Sequence, residues 1–310
     1  MWLAWAYLLT IGLAWLLGEA VGERTVPTLL LAYLPAVVWV LPAPLVLAWT
    51  LWRRRGVGIA LAGTLLALGG AGFLHWQPQR EGALRVLTYN VARGTLGRPE
   101  QIASTLRSAD ADVILLQETN FIPAGYGRTL LDALPGYTVS AGHEVMTLSR
   151  LPQVSSREHA IPGSRRTVLE TAVRWRDREV RVVNAHLNTV LVSSAWRGDW
   201  DAVQRTNRAR VGQMDLLERI AARQPGPLLI GGDLNTPPRG PLYRRLRGAA
   251  DQGAHDRAGR GPGWTFPRLF LRIDHLLSRD LTPTRARVLP TPGSDHHPLL
   301  AEYDAHGSQP

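Results

Sequence analysis

Cysteine and lysine are both absent from the 310-residue chain. Without cysteine the protein forms no disulfide and offers no thiolate to a metal ion, and it is compatible with an oxidising compartment. Without lysine it cannot use a Schiff base or a lysine nucleophile. All 35 basic residues are therefore arginine, and with 25 acidic residues they give a net charge of +10. Guanidinium groups suit planar recognition of phosphate, although a GC-rich genome would produce the same bias.

Acidic and basic side chains are missing from three long stretches near the N-terminus, Trp2–Gly18, Leu29–Trp52 and Gly56–Trp76. A bilayer core needs about 20 apolar helical residues, and about 17 to 25 are tolerated. The sequence therefore predicts a membrane anchor over residues 1–76 with about three transmembrane helices. A cleavable signal peptide is the alternative for the first stretch, but that stretch has neither a basic leading region nor a small-residue cleavage site.

The second stretch is interrupted by Pro35, Pro42 and Pro44. Proline removes a helix hydrogen bond, so this stretch is expected to be a kinked or broken span. Arg53–Arg55 then separates the second stretch from the third, and positive loops stay cytoplasmic. We expect an integral membrane protein whose C-terminal domain, after Trp76, lies outside the cytoplasm. If the second stretch fails to span, the domain falls on the other side.

After a short linker at residues 77–82, apolar runs alternate with helical patterns, which predicts an α+β domain over 83–304 and a tail at 305–310. The patterns indicate helices at 99–107 and 207–223, and strands at 84–90, 111–118, 180–189 and 271–278, with a last strand within 294–303.

Polar residues stand at the ends of these apolar runs. A single one is explained by a turn or a satisfied core position, but a polar group buried without a partner costs on the order of 1 to 3 kcal/mol. So many in one domain are therefore expected to converge and to satisfy one another or a metal ion. They are Asn90, Glu118, Asn184, His186, Asn188, Asp233, Asn235, Asp274, Asp295 and His296.

The order of these residues resembles that of the endonuclease/exonuclease/phosphatase superfamily, the DNase I-like hydrolases. The resemblance covers about residues 82–304 and rests on Asn, Glu, His, the GDLN segment, RIDH and SDH in that order. It implies a four-layered α/β/β/α sandwich with two sheets face to face and a divalent-metal site at one sheet edge. The segment 144–152 lacks the tyrosine that some members carry there, which disfavours an abasic-site nuclease.

The resemblance implies a metal site at Asn90, Glu118 and Asp295. Carboxylate and amide oxygens suit Mg²⁺ or Mn²⁺, hard ions that keep several waters and bind phosphate beside one or two carboxylates. One and two ions are both compatible with the sequence.

By the same resemblance, five residues carry catalysis. His186 and Asn235 are expected to donate hydrogen bonds to phosphoryl oxygens, and Asp233 to orient or deprotonate the attacking water. Asp274 is expected to orient His296 and to raise its basicity. The sequence leaves open whether Asp233 or His296 is the general base.

The favoured function is therefore a membrane-anchored, metal-dependent phosphoesterase. Its expected partners are a phosphate-ester substrate and the lipid bilayer, and no protein partner is implied. The anchor favours a lipid or other surface substrate, with DNA or RNA as the alternative because a basic domain suits nucleic acid as well. A catalytically inactive scaffold is disfavoured because every motif position is intact. A channel or transporter is disfavoured because the apolar stretches carry no ionisable residue except His75, near an end.

Overall fold

The computed structural model describes residues 1–161, 164–223 and 225–306. Its helices are α1 Trp2–Ala20, α2 Val26–Tyr33, α3 Ala43–Trp52, α4 Val57–Gly70, α5 Pro99–Ala109, α6 Tyr126–Asp132, α7 Trp200–Ala222, α8 Gly240–Ala250 and α9 Ala254–Ala258. Its strands are β1 Leu84–Asn90, β2 Val113–Gln117, β3 Thr138–Ala141, β4 Val145–Ser149, β5 Gln153–Ala160, β6 Thr167–Trp175, β7 Arg178–Ala185, β8 Leu228–Asp233, β9 Gln252–Gly253, β10 Asp274–Arg279, β11 Leu281–Val288 and β12 Leu299–Ala305. Of the expected tail, residues 307–310 lie outside the described part.

The strands form two mixed sheets of six strands each, in the orders β11-β12-β1-β2-β4-β3 and β5-β6-β7-β8-β10-β9. In each sheet one central pair is parallel, β1 with β2 and β7 with β8, while the other pairs are antiparallel. The carboxyl ends of β1, β2, β7 and β8 can therefore carry side chains to one edge of the sandwich.

The sheets pack face to face, and helices cover their outer faces. Alternation along each strand sends one set of side chains between the sheets and the other set outward. The inner layer includes Leu84, Val86, Val113, Leu115, Val182 and Leu229. The outer layers pack α5 and α6 on the first sheet, and α7 and α8 on the second. The expected four-layered sandwich is thus observed.

The N-terminal segment differs from the expectation of about three transmembrane helices. Among the described residues, only α1 is by itself long and apolar enough to cross a membrane. The second stretch is bent by 85° between Val26–Tyr33 and Ala36–Trp52, and α4 has only 14 residues. The bend falls at Leu34 and Pro35, where proline forces the preceding residue out of the helical region (ψ 124° at Leu34).

The N-terminal segment packs directly on the domain. Arg244 pairs with Glu19 at 2.7 Å at the end of α1, and the side chain of Asn207 donates to the Glu23 carbonyl at 2.8 Å. The predicted linker also lies on the domain, because Gln79 donates to the carbonyls of Ala258 and Ala286 at 2.7 and 3.1 Å. In the part of the chain that the structure describes, the N-terminal segment and the domain therefore share extensive contacts.

Candidate active site

The predicted site residues gather at one edge of the sandwich. Asn90 ends β1, Glu118 directly follows β2, His186 directly follows β7, and Asp233 ends β8. Asp274 begins the antiparallel strand β10 and lies opposite Asp233 in the pairing register. The parallel pairs thus align the carboxyl ends that bear these residues, as the polar strand ends predict.

Asn90 joins the two sheets at this edge. Its side-chain nitrogen lies 3.2 Å from Glu118 Oε1 and 3.1 Å from Asp233 Oδ2, and its oxygen accepts from the backbone N–H of Ala92 at 3.0 Å. Glu118 has a positive φ of 58°, a backbone conformation that is costly for a residue other than glycine. Such strain is characteristic of functional positions.

Asp233 is placed by the glycine that precedes it. Gly232 has φ 138°, and a Cβ at this position would lie 1.8 Å from the Ala185 carbonyl oxygen, so only glycine fits. The carboxylate that follows is buried, and its Oδ1 accepts from the backbone N–H of Asn235 at 3.0 Å. The close approach of β7 and β8 therefore requires glycine immediately before the reactive carboxylate.

His296 and Asp274 form a buried pair, with Nδ1 of His296 2.8 Å from Oδ2 of Asp274. Burial alone would lower the pKa of His296, but Asp274 and then Asp233 and Asp295 outweigh it and raise the pKa to about 10. Nε2 of His296 faces Asp233 Oδ2 at 3.7 Å, and the Phe266 ring packs 4.9 Å from the imidazole. The three carboxylates therefore favour the protonated form of the imidazole, which faces Asp233.

His186 has a carboxylate partner that the sequence did not indicate. Its Nδ1 lies 3.3 Å from Glu144 Oε2, while its Nε2 faces Asp233 Oδ2 at 3.5 Å and Glu118 Oε1 at 3.9 Å. Arg166 approaches the other Glu144 oxygen at 3.9 Å. Glu144 is buried immediately before β4, and a carboxylate preceding a fully buried strand was the only signal available for it.

Asn235 is held from behind by the N-terminal segment. Its side-chain nitrogen donates to the Leu187 carbonyl at 3.0 Å. The second N–H of the amide is left to donate to another acceptor. The backbone carbonyl of Asn235 accepts hydrogen bonds from the Tyr33 hydroxyl and from the fully buried Arg210. Arg210 also donates to the Tyr33 hydroxyl. Neither Tyr33 nor Arg210 was identified from sequence.

Asp295 lies beside His296 but is only partly buried, and its closest hydrogen-bonding partner is Ser294 Oγ at 3.5 Å. The same Ser294 hydroxyl donates to the Asn90 carbonyl at 2.7 Å, which ties this loop to β1. The structure thus places Asp295 near the other predicted metal ligands without a direct bond to them.

Two other polar strand-end residues, Asn184 and Asn188, make hydrogen bonds that stabilise the fold. Asn184 joins the sheets through Gln117 at 2.9 Å and through the Met146 carbonyl at 3.0 Å. Asn188 is held by Gln213 of α7 at 3.0 Å. Both contacts satisfy buried polar groups away from the reactive carboxylates.

The site chemistry fits a divalent cation. Carboxylates outnumber the two imidazoles and Arg166, and two buried oxygens, Oδ1 of Asp274 and Oε1 of Glu144, have no hydrogen-bonding partner. Among the described residues, Asp233, Asp274 and His296 form a group whose ligand atoms lie within 4.8 Å of one another. Because His296 already pairs with Asp274, the partly exposed Glu118 beside Asn90 is the better oxygen ligand for a hard ion.

Residues 87–296 match the endonuclease/exonuclease/phosphatase family over more than two thirds of the chain. The chain belongs to this family. Members of the endonuclease/exonuclease/phosphatase family are phosphoester hydrolases that typically use divalent metals. No curated protein matches the sequence significantly.

Solved structures with the endonuclease/exonuclease/phosphatase fold are similar to this one. TDP2 of D. rerio, complexed with a single-strand DNA product, is 17% identical with a TM-score of 0.58 and covers 70% of this chain and 97% of its own. Mannosyl-6-phosphatase Bt3783 of Bacteroides thetaiotaomicron is 19% identical with a TM-score of 0.56 and covers 71% of this chain and 99% of its own. At these identities the likeness establishes the fold alone.

Proposed function

We propose that the protein is a divalent-cation-dependent phosphoesterase held at a membrane by its N-terminal helical segment. The observation that supports it is the Asn90 amide between Glu118 and Asp233, with the imidazoles of His186 and His296 facing the same Asp233 oxygen. Carboxylate, amide and imidazole groups converge there from both sheets. This arrangement can bind a phosphate and activate a water molecule.

In this proposal Glu118, Asn90 and Asp295 hold Mg²⁺ or Mn²⁺, which neutralises charge on the phosphoryl oxygens. His186 and the free N–H of Asn235 donate to those oxygens. Asp233 takes the proton of the attacking water.

His296 acts in the same proposal as a hydrogen-bond and proton donor. Its pKa of about 10 keeps the imidazole protonated at neutral pH, which makes it a poor base. Asp274 holds the ring in place through Nδ1. The choice between the two candidate bases therefore falls on Asp233.

The experiment compares Glu118→Gln with Glu100→Gln, a matched change of an exposed glutamate at the start of α5. The full-length protein in detergent is assayed on phosphomonoesters and phosphodiesters while Mg²⁺ or Mn²⁺ is titrated, and Mn²⁺ binding is measured by calorimetry. We expect Glu118→Gln to lose activity and ion affinity, and Glu100→Gln to retain both. Full activity in excess chelator would contradict the proposal.

A nuclease is the second candidate. The net charge of +10 favours a polyanionic substrate, and the fold resembles that of TDP2, whose structure contains single-strand DNA. The same residues would hydrolyse either kind of ester, so DNA and RNA belong in the substrate panel.

A further inference from the structure

The N-terminal segment attaches to the edge of the sandwich that carries the candidate active site. The connection from β8 to α8 follows Asp233, and the N-terminal segment contacts this connection at Asn235 and at Arg239. Tyr33 binds the Asn235 carbonyl, and Arg239 donates to the Leu34 carbonyl at 3.2 Å while its guanidinium lies 5.9 Å from the Trp15 ring. The loop that presents the proposed base is thus also the anchor's docking site.

A second catalytic strand begins at the same docking site. The loop before Asp274 contains Trp264, whose ring lies 5.8 Å from Phe73 just after α4. Close by, His75 stacks on His255 with ring centroids 5.0 Å apart. The loop that follows β8 and the loop that precedes β10 therefore both contact the N-terminal segment. Each of these strands supplies a residue of the candidate active site.

Helix α2 packs on the domain. The chain bends by 85° between α2 and the apolar stretch that follows it, Ala36–Trp52. Its Leu29 is fully buried against Val190 and Val203, in a cluster that also takes in Val192 and Ala195. α2 thus packs on the domain at a steep angle to the apolar stretch that follows it, and we place it in the plane of the bilayer surface.

The segment Leu191–Trp200, which we call the aromatic segment, adjoins α2 and follows β7 and His186 in the chain. It exposes Trp196 by 93%, Trp200 by 52% and Leu191 by 44%. Such exposure of large apolar groups is unfavourable in water, whereas indole rings concentrate at membrane interfaces. The exposed Arg197 next to Trp196 suits lipid phosphates.

We propose that the aromatic segment inserts into the headgroup region of the bilayer that holds α1, so that the active site opens onto that bilayer. The substrate is then a phosphate ester in the headgroup of a membrane lipid. This assignment rests on the proposed phosphoesterase function and adds its substrate class. It is carried by the packing of α2 against the aromatic segment and by the contacts of the same N-terminal segment with the loop that follows Asp233.

The first test locates the aromatic segment. Because the chain contains no cysteine, Trp196→Cys and the control Val154→Cys, on the edge strand β5, each take one environment-sensitive fluorophore. The full chain is reconstituted into vesicles of phosphatidylcholine and phosphatidylglycerol. We expect the label at position 196 to be blue-shifted and quenched by brominated lipid, and the label at 154 to be quenched by aqueous iodide. Equal aqueous quenching at both positions would overturn the proposal.

The second test uses unlabelled Trp196→Ser and Val154→Ser on phosphatidylglycerol and phosphatidic acid in vesicles. The same headgroups on water-soluble dibutanoyl chains serve as the soluble substrates. We expect Trp196→Ser to lower vesicle hydrolysis by about tenfold, the loss of one interfacial indole, with soluble hydrolysis unchanged. Val154→Ser should leave both rates unchanged.

The outcomes separate the two proposals. If no phosphate ester is hydrolysed, the phosphoesterase proposal fails, while the fluorescence still decides where the aromatic segment lies. If DNA or the soluble esters are hydrolysed and vesicle lipids are not, the enzyme stands and the lipid assignment is wrong. If the label at 196 is shielded only when two copies associate, a second copy of the chain covers the segment and the lipid assignment is again wrong.

Discussion

Replacing Asp274 with asparagine tests the hydrogen bond on which the role of His296 depends. Asparagine has the same shape and keeps an oxygen acceptor for Nδ1 of the imidazole, but it removes the negative charge 2.8 Å away. Both side chains are buried, so solvent does not screen their interaction appreciably. The substitution therefore isolates the electrostatic contribution of the pair.

The raised pKa of His296 gives the size of the activity loss expected for Asp274→Asn. The pKa of His296 is raised from 6.5 to about 10 against the opposing effect of burial, with Asp274 as the largest raising influence and Asp233 and Asp295 as smaller ones. A gap of roughly 3.5 pKa units corresponds to about 5 kcal/mol. Assigning roughly half or more of it to Asp274 gives about 2.5 to 4 kcal/mol, or about 70- to 900-fold in rate.

The assay measures kcat for Asp274→Asn, His296→Ala and the double variant, with circular dichroism to confirm folding. If the two residues act as a unit, the double variant is hardly slower than His296→Ala. The alkaline limb of the pH profile in Asp274→Asn should also move toward neutral pH, because the imidazole loses its proton sooner. Losses that multiply would refute the pairing and the role of His296.

Three further predictions follow from other contacts. Glu144→Gln should lower kcat by about tenfold while leaving KM unchanged, because the hydrogen bond that positions His186 loses its charged acceptor. Steady-state kinetics that show only a higher KM would contradict this. Burial lowers the pKa of His275 to about 4, so the unfolded chain binds the extra proton and stability falls as pH drops from 6.5 to 4, by about 3 kcal/mol. His275→Gln, which can still donate to the Thr236 carbonyl, should flatten this dependence in thermal melts, and an unchanged pH slope would argue against it. A reporter fused after Asp304 should be active only outside the cytoplasm, since Arg53–Arg55 is the strongest positive cluster near the apolar helices; cytoplasmic activity would reverse the orientation.

The edge position of the site was predictable because the polar residues interrupt apolar runs where strands end. Asn90, Glu118 and Asp233 each follow a run that can only be a buried strand, so sequence locates them without knowledge of the sheet order. Glu144 was not predictable in the same way. Its partner His186 is 42 residues further along the chain, and only the packing of the two sheets brings them together.

Arg210 shows a different limit of sequence analysis. It lies on an amphipathic helix, where an arginine is ordinarily solvated, and nothing local indicates that it is fully buried. Its environment depends on Tyr33, at the other end of the chain. The expected number of transmembrane helices was wrong for a related reason, since the length of an apolar run does not reveal the 85° bend within it.

The contact between Tyr33 and Asn235 joins residues 202 positions apart, and this separation constrains the order of biogenesis. α1 and α2 leave the ribosome long before β8 exists, so Tyr33 and Leu29 of α2 initially lack the domain residues on which they pack. Only after most of the domain has been synthesised can Arg210 and Asn235 close over them. The loop that follows Asp233 therefore gains its contacts with the N-terminal segment only at a late stage of synthesis.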